Sequence, residues 1–382
     1  MAERQNYSGI LLYRKTNMVL KPIGSVKKIV LDRVMTFKEC SEFEGQYLTE
    51  EIMMKLAQGN GSGEWLVSED CDAYKRNPDG TEELIFVFRK GVVDPLIARE
   101  AIDMMRKTAQ QKKINRGSFA GRLDHKKMPN YVGQFYNPSE FRTRYYSNTS
   151  GKLANQFISN QSPSNIVGYF DKADRNLLGA GSNIRAAAFI RDYPEKWARA
   201  LPYFQQLSAI YKELFYSLKG FNPYKEQEAI CKKIPTAIIE DTVFSTATIN
   251  YSCPSALHTD KGNAKEGFAV LNVIKDHKNP NDYSGCYLCL PEFGICIDNN
   301  HLDICIGDNK NVWHGTTEFK AVYDDVVYPM NVDRPDKMPT EQEIENDWYF
   351  NRFVSVSYVR DSILKNYENR KGKAAVDTLG VD

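Results

Sequence analysis

The sequence predicts an α+β protein in which helices support a C-terminal block of short β-strands arranged as a double-sheet jelly roll or barrel. Three observations carry this. From residue 237 onward, β-rich runs separated by turns recur at 242–251, 268–274, 285–290, 294–297, 303–306 and 352–359, the spacing of closed or double-sheet folds. Upstream of that block, two stretches place apolar residues at helical intervals. The chain is also ordinary in size and balance, with 382 residues, 42% of them apolar and 26% charged, enough for one large core or two smaller ones.

Taken in order, residues 27–34 (KKIVLDRV) read as a strand and 49–57 as a short amphipathic helix, with a flexible break at GNGSG, 59–63. The stretch 64–74, the turn NPDG at 77–80 and the run LIFVFR at 84–89 read as a hairpin. Asp94 followed by Pro95 is a helix start, a capping side chain and then proline at the first helical position. Leu96, Ile97, Ala101, Ile102, Met105 and Ala109 continue it to about residue 111. Residues 137–183, rich in Asn, Ser, Gly and Tyr, read as a long loop region. A second helix opens at 192–195 (DYPE) with a stripe from Trp197 to Leu214, and Pro202 is expected to kink it. An acidic, proline-containing insert occupies 318–349, and the polar end from 365 is expected to fray.

Net charge is +1, so attraction to a polyanion must come from local patches. The segment 106–127 is such a patch, eight Lys/Arg against the single acid Asp124, and it contains the glycine-punctuated loop NRGSFAGR at 115–122. It reads either as a solvated helix end and turn or as a loop touching phosphates, with Asn115, Arg116 and Arg122 as the contact candidates. No long apolar run marks a leader or a membrane span, so a soluble intracellular protein is expected, with no membrane and no obligate protein partner. The eight cysteines are scattered and read as reduced thiols. Cys286 and Cys289 form a C-x-x-C, but in a strand residues i and i+3 face opposite sides, which argues against zinc.

The chemistry concentrates at LHTDKGN, 257–263. His258 and Asp260 lie two residues apart at the end of a strand-like run, and a later run ends in VWHG with His314. Two histidines and one carboxylate are the usual ligand set of non-haem Fe(II) with open coordination positions. Those positions suit a bidentate 2-oxo acid and O₂. The far carboxylate of such an acid calls for a permanently charged bidentate partner, and Arg352, opening the last strand-like run, fits. A zinc hydrolase could use the same three ligands, but it would leave Arg352 without a role. His125, His277 and His301 read as non-ligands.

These residues and their flanks resemble the base-J-binding-protein/TET family of 2-oxoglutarate and Fe(II)-dependent dioxygenases, in its thymine-hydroxylase branch. The resemblance is carried by TVFSTATIN (242–250), ALHTDKGN (256–263), EGF (266–268), SGCYLCLPEFG (284–294), VWHGT (312–316) and RFVSVSY (352–358), with weaker pieces at 115–117, 165–171 and 188–196. It covers about 84–364. It implies a double-stranded β-helix core at about 237–360, an N-terminal α/β extension over 1–83 and a polar tail over 365–382. It also implies His258, Asp260 and His314 as iron ligands, Arg352 as the 2-oxoglutarate partner, and Asn250 as a second cosubstrate contact. The substrate implied is a methyl group on a DNA base, thymine giving 5-hydroxymethyluracil. Oxidation of 5-methylcytosine, a protein or small-molecule substrate, and a catalytically inert DNA-binding module remain as other readings. The chain departs from the family where Val354 replaces a common serine and where the 318–349 insert is long.

Overall fold

The computed structural model describes residues 20–124, 135–136, 141–147, 149–173, 182–275, 283–321 and 352–367. In chain order they form β1 (Lys27–Leu31), α1 (Phe37–Glu42), α2 (Glu50–Ala57), β2 (Leu66–Val67), β3 (Cys71–Arg76), β4 (Glu82–Arg89), α3 (Pro95–Gln110), β5 (Phe135–Tyr136), β6 (Arg144–Tyr145), β7 (Ser164–Ala173), β8 (Ser182–Ala186), α4 (Ala188–Asp192), α5 (Pro194–Phe215) and α6 (Pro223–Cys231). Then follow β9 (Thr246–Tyr251), β10 (Ala269–Lys275), β11 (Tyr283–Gly285), β12 (Leu288–Leu290), β13 (Ile295–Ile297), β14 (Ile304–Gly307), β15 (Gly315–Thr316), β16 (Phe319–Ala321) and β17 (Arg352–Tyr358).

Helices and strands are organised around one nine-stranded sheet, ordered β1-β3-β4-β14-β10-β17-β9-β7-β8. A four-stranded sheet, β15-β12-β13-β2, faces it. Period-2 alternation explains why the central strands are buried on both sides. Along β10, Val270 and Ile274 join the cluster under the helices, whereas Leu271 and Val273 meet Leu288, Leu290 and Ile295 of the smaller sheet. Along β17, Phe353 packs on the helices and Val354 points inward.

The helices follow from their caps and stripes. The Asp94 carboxylate accepts the Leu96 and Ile97 amides of α3, with Pro95 at the first turn. This helix buries Ala98, Ala101, Ile102, Met105 and Ala109. Large side chains such as Phe204 and Leu207 of α5 join the same cluster, each contributing about 1.5–3 kcal/mol on burial. Tyr203 of α5 ties the helix layer to the sheet, its hydroxyl 2.6 Å from both Asn272 Oδ1 and Ser355 Oγ. Pro202 lies within α5, which continues as a helix through it.

The long loop expected over 137–183 is corrected. Its C-terminal part contains the ten-residue β7, paired with β9 from Ser164↔Asn250 to Gly168↔Thr246, and the first two residues of β8. The residues that read as loop signals have sheet tasks. Asn165 donates to Gln111 O (2.7 Å) at the end of α3. Gly168 has φ +88°, and a Cβ there would sit 2.5 Å from Ser245 O, so only glycine lets β7 pass that close.

The expected strand over 242–251 starts at Thr246, because 242–245 make a turn held by Thr242 Oγ1. The expected boundary at 83/84 lies inside β4, and β1 and β3 extend the same sheet. Of the 318–349 insert, 322–349 lie outside the described residues, as do 368–382, His125 and His277. No helix among the described residues is long and apolar enough to cross a membrane.

Candidate metal centre

His258 and His314 lie opposite each other in an isolated antiparallel bridge, each backbone N–H donating to the other's carbonyl at 2.9 Å. Both rings are then fixed in the same way. His258 Nδ1 is 2.7 Å from Ala256 O, and His314 Nδ1 is 3.0 Å from Val312 O. A carbonyl oxygen only accepts, so Nδ1 carries the proton and Nε2 presents its lone pair. The two Nε2 atoms lie 3.7 Å from Asp260 Oδ1 and Oδ2 respectively. A tight turn brings Asp260 to them, its N–H donating to Asn309 O and its carbonyl accepting from Asn263 N, both at 2.9 Å.

One ligand atom from each of His258, Asp260 and His314 falls within 4.8 Å of the others, the only such His/Cys/Asp/Glu group among the described residues. Burial pushes the His258 imidazole down to about 4; His314 beside it pushes the same way and Asp260 opposes. The neutral ring is therefore the resting form near neutral pH, as a metal ligand requires. Phe119 stands edge-on to His258, ring centres 5.4 Å apart.

Two further residues hold this geometry. At Gly315 a Cβ would come within 3.1 Å of Leu257 N and Ser255 O, so the backbone of the W-H-G run lies tightly against the H-x-D segment. Glu292 is wholly buried, and its Oε1 accepts the Trp313 N–H at 2.9 Å, one residue before His314. Burial raises its carboxyl pKa, with the Trp313 amide and Arg33 opposing.

The three residues end a cavity roofed by β9 and β17. Arg352, Val354, Val356 and Tyr358 take alternate positions on β17, and Thr248 and Asn250 take matching ones on β9. Leu271 and Leu288 complete an apolar wall. Arg352 is 4% exposed. Burial disfavours its charge, but Cys286 and Tyr283 more than offset this, and its pKa is raised. Two buried polar atoms on this cavity have no partner among the described residues, Arg352 Nε and Asn250 Oδ1. A buried donor left unpaired costs about 1–3 kcal/mol, and a polar ligand would remove that cost. Val354, at the position where serine is common in the family the sequence resembles, lines the cavity as an apolar residue.

Of the expected nucleic-acid contacts, Asn115 and Arg116 lie on a wider groove that leads from His258 and Asp260 to the surface. Asn115 is exposed. Arg116 is half-buried, donates from Nε to Ser164 O at 2.8 Å, and has its pKa lowered by burial. Arg122 is not brought to that groove; it donates to Glu42 O at 3.1 Å. His301 is also elsewhere, its Nδ1 accepting the Lys275 N–H at 3.0 Å. Cys289 pairs with Cys296 across two strands (Sγ–Sγ 3.2 Å) and not with Cys286. Sequence reading missed Phe119, Thr248, Tyr358 and Glu292. Tyr358 alone carried a local signal, its even spacing from Arg352.

Comparison with known proteins agrees with this geometry. The family model for Tet_JBP, the oxygenase domain of the 2OGFeDO superfamily, matches residues 165–331. The matched stretch includes His258, Asp260 and His314, while Arg352 follows it. Among curated relatives, the thymine dioxygenase JBP1 of Trypanosoma brucei brucei is 30% identical over 159 residues, 41% of this chain and 17% of that protein. JBP1-A of Trypanosoma cruzi, also named a thymine dioxygenase, is 30% identical over 181 residues, 47% of this chain and 19% of the relative. The chain thus aligns with less than a fifth of each of these relatives' length. The solved structure of NgTET1 in complex with 5mC DNA aligns over 86% of this chain and 92% of its own, at 8% identity and a TM-score of 0.40.

Proposed function

We propose that this chain is a Tet/JBP-type, 2-oxoglutarate- and Fe(II)-dependent dioxygenase that hydroxylates the methyl group of thymine in DNA, giving 5-hydroxymethyluracil. In this reading the two facing sheets are the halves of a double-stranded β-helix. The observation that carries it is the meeting, in one cavity, of a 2-His-1-carboxylate set with a buried arginine whose Nε has no acceptor among the described residues.

The donor set suits Fe(II): two neutral imidazoles and a carboxylate on one side leave the remaining positions open. Arg352 would hold the distal carboxylate of 2-oxoglutarate and satisfy its own Nε, with Asn250 as a second polar contact. Bound iron, with 2-oxoglutarate and O₂, supplies an oxidant that places one oxygen atom on the methyl group and the other in succinate, releasing CO₂.

The chain's own residues do the rest. Ala256 and Val312 carbonyls keep both Nε2 atoms aimed inward. Leu271, Leu288, Val354 and Val356 exclude water from the reacting end. The groove past Arg116 and Phe119 gives a base a way in, at a flipping cost of a few kcal/mol for a base leaving a duplex.

The thymine assignment is supported by the JBP1 relatives, which are named thymine dioxygenases. The test is 2-oxoglutarate turnover: succinate should form only with Fe(II) and vanish in Asp260→Ala. Undiminished succinate in that variant would overturn the site.

A further inference from the structure

Asp260 is the least enclosed of the three ligand candidates, its side chain 25% exposed against 11% for His258 and 6% for His314. The two histidines hold each other through their mutual backbone bonds, and Asp260 sits outside that bridge. The turn that carries it, 260–263, gains little from packing. Lys261 is exposed, and a Cβ at Gly262 would meet nothing within 4 Å. Hydrogen bonds therefore decide where the carboxylate stands.

One loop supplies most of them. After β14, residues 308–312 close on themselves: Asp308 Oδ1 accepts the Asn311 N–H at 3.1 Å, and Val312 N–H donates to Asp308 O at 3.1 Å. Asp308 N–H donates to Ile85 O at 3.2 Å, which ties the loop to β4. Two consecutive residues of this loop then grip the two ends of the turn. Asn309 O accepts the Asp260 N–H, and the Lys310 ammonium donates to Asn263 O. Asn263 N–H in turn donates to Asp260 O. On the other flank Asp361 N–H donates to Gly262 O at 2.9 Å. Lys261 also reaches Glu44, at 2.9 Å, an exposed ion pair of little weight. Of the grips on the turn's backbone, the one from Lys310 is made by a side chain. Lys310 is half-buried and forms no ion pair among the described residues.

We propose that Lys310 is a positioning residue of the metal centre: by holding the Asn263 carbonyl it fixes the Asp260 turn against the two histidines and so sets metal affinity. This rests on the Fe(II) reading above and is independent of the substrate. A hydrogen bond from an ionised donor is roughly twice as strong as a neutral one, so an ammonium is a firm hold on a carbonyl that packing leaves loose. Partners that orient metal ligands from outside typically govern affinity by about 10–100-fold. Lys310 acts through one backbone bond, which places it at the low end of that range. Arginine keeps the charge and the reach, whereas methionine keeps most of the stem and has no donor.

The test is Fe(II) affinity by anaerobic titration calorimetry, read on folded protein below the unfolding transition of each variant, beside thermal unfolding of the metal-free chains. A role in stability alone lowers the unfolding temperature and leaves the affinity of the folded protein unmoved. Lys310→Met should bind Fe(II) roughly tenfold more weakly than the parent, and Lys310→Arg should restore most of that loss. Lys310→Gln, with a shorter and uncharged donor, should also bind more weakly than the parent, and it carries the test if the methionine variant does not fold. Parent-like affinity in the folded methionine variant, whatever its unfolding temperature, overturns the positioning role. Tighter binding there shows that the ammonium charge repels the metal more than its grip helps, and overturns it too. An arginine variant as weak as the methionine one contradicts the hold on the carbonyl. A parent that binds no Fe(II) overturns the metal-centre reading itself.

Discussion

Replacing Arg352 by leucine separates the role of its charge in the empty cavity from its role with cosubstrate bound. In the unliganded protein the side chain is 4% exposed and its Nε has no acceptor among the described residues. Such a donor carries a penalty of about 1–3 kcal/mol, so the leucine variant should unfold at the parent's temperature or slightly above it. With 2-oxoglutarate present the sign reverses. Truncating one partner of a buried charge pair costs about 2–5 kcal/mol. At about 1.4 kcal/mol per decade, this weakens cosubstrate binding by roughly 30- to 4,000-fold. Arg352→Lys keeps the charge but loses the planar fork and should fall at the low end of that range. The assay is thermal unfolding in rising 2-oxoglutarate with Fe(II) under anaerobic conditions. The parent should gain about 2.7 kcal/mol at a hundred times its Kd, and the leucine variant no more than about 0.9 kcal/mol at the same concentration. An equal ligand-dependent rise in both proteins would refute the role given to Arg352.

Two further outcomes follow from buried carboxyl groups. Glu292→Ala strips the Trp313 N–H of its acceptor and should cost about 1–3 kcal/mol in chemical denaturation, with weaker Fe(II) binding because His314 is the next residue; Glu292→Gln should restore most of both, and a glutamine variant as poor as alanine would contradict the acceptor role. Asp303 is buried, and its carboxyl is pushed up to about 6, with the Asn300 and Gly91 amides opposing. Between about pH 4, where the unfolded group titrates, and pH 6 the folded chain holds a proton the unfolded chain has lost. Its stability contribution is therefore present at low pH and lost as pH rises through 6, by up to about 3 kcal/mol. The stability of the parent relative to Asp303→Asn should fall over that interval, and a flat difference in denaturation midpoints would contradict it.

Much of the frame was legible because its signals are local. Asp94 and Pro95 announce α3, the NPDG turn announces the β3–β4 pair, and the alternating run from Arg352 gives β17. His258 and Asp260 were readable because two residues of separation put both on one turn. What escaped depends on partners distant in sequence. Asn, Ser and Gly in 164–168 look like loop residues until Gln111 and Ser245 are beside them. Glu292 is an unremarked acid in a short turn until the fold buries it against Trp313. Arg122, in a basic and glycine-rich stretch, turns to the Glu42 carbonyl, a choice composition does not reveal.

The central claim is that the His258–Asp260–His314 centre oxidises a base methyl group in DNA, and nucleoside mass spectrometry tests it most directly. Thymine-containing and 5-methylcytosine-containing duplexes are incubated with the protein, Fe(II), 2-oxoglutarate and O₂, then digested. The account predicts a gain of one oxygen on thymidine, giving the 5-hydroxymethyluracil nucleoside with matching succinate, and none with Asp260→Ala. Oxygen gained on 5-methylcytosine alone would contradict the thymine assignment. No gain on either base, from protein that binds Fe(II) and 2-oxoglutarate, would contradict the claim that DNA is the substrate.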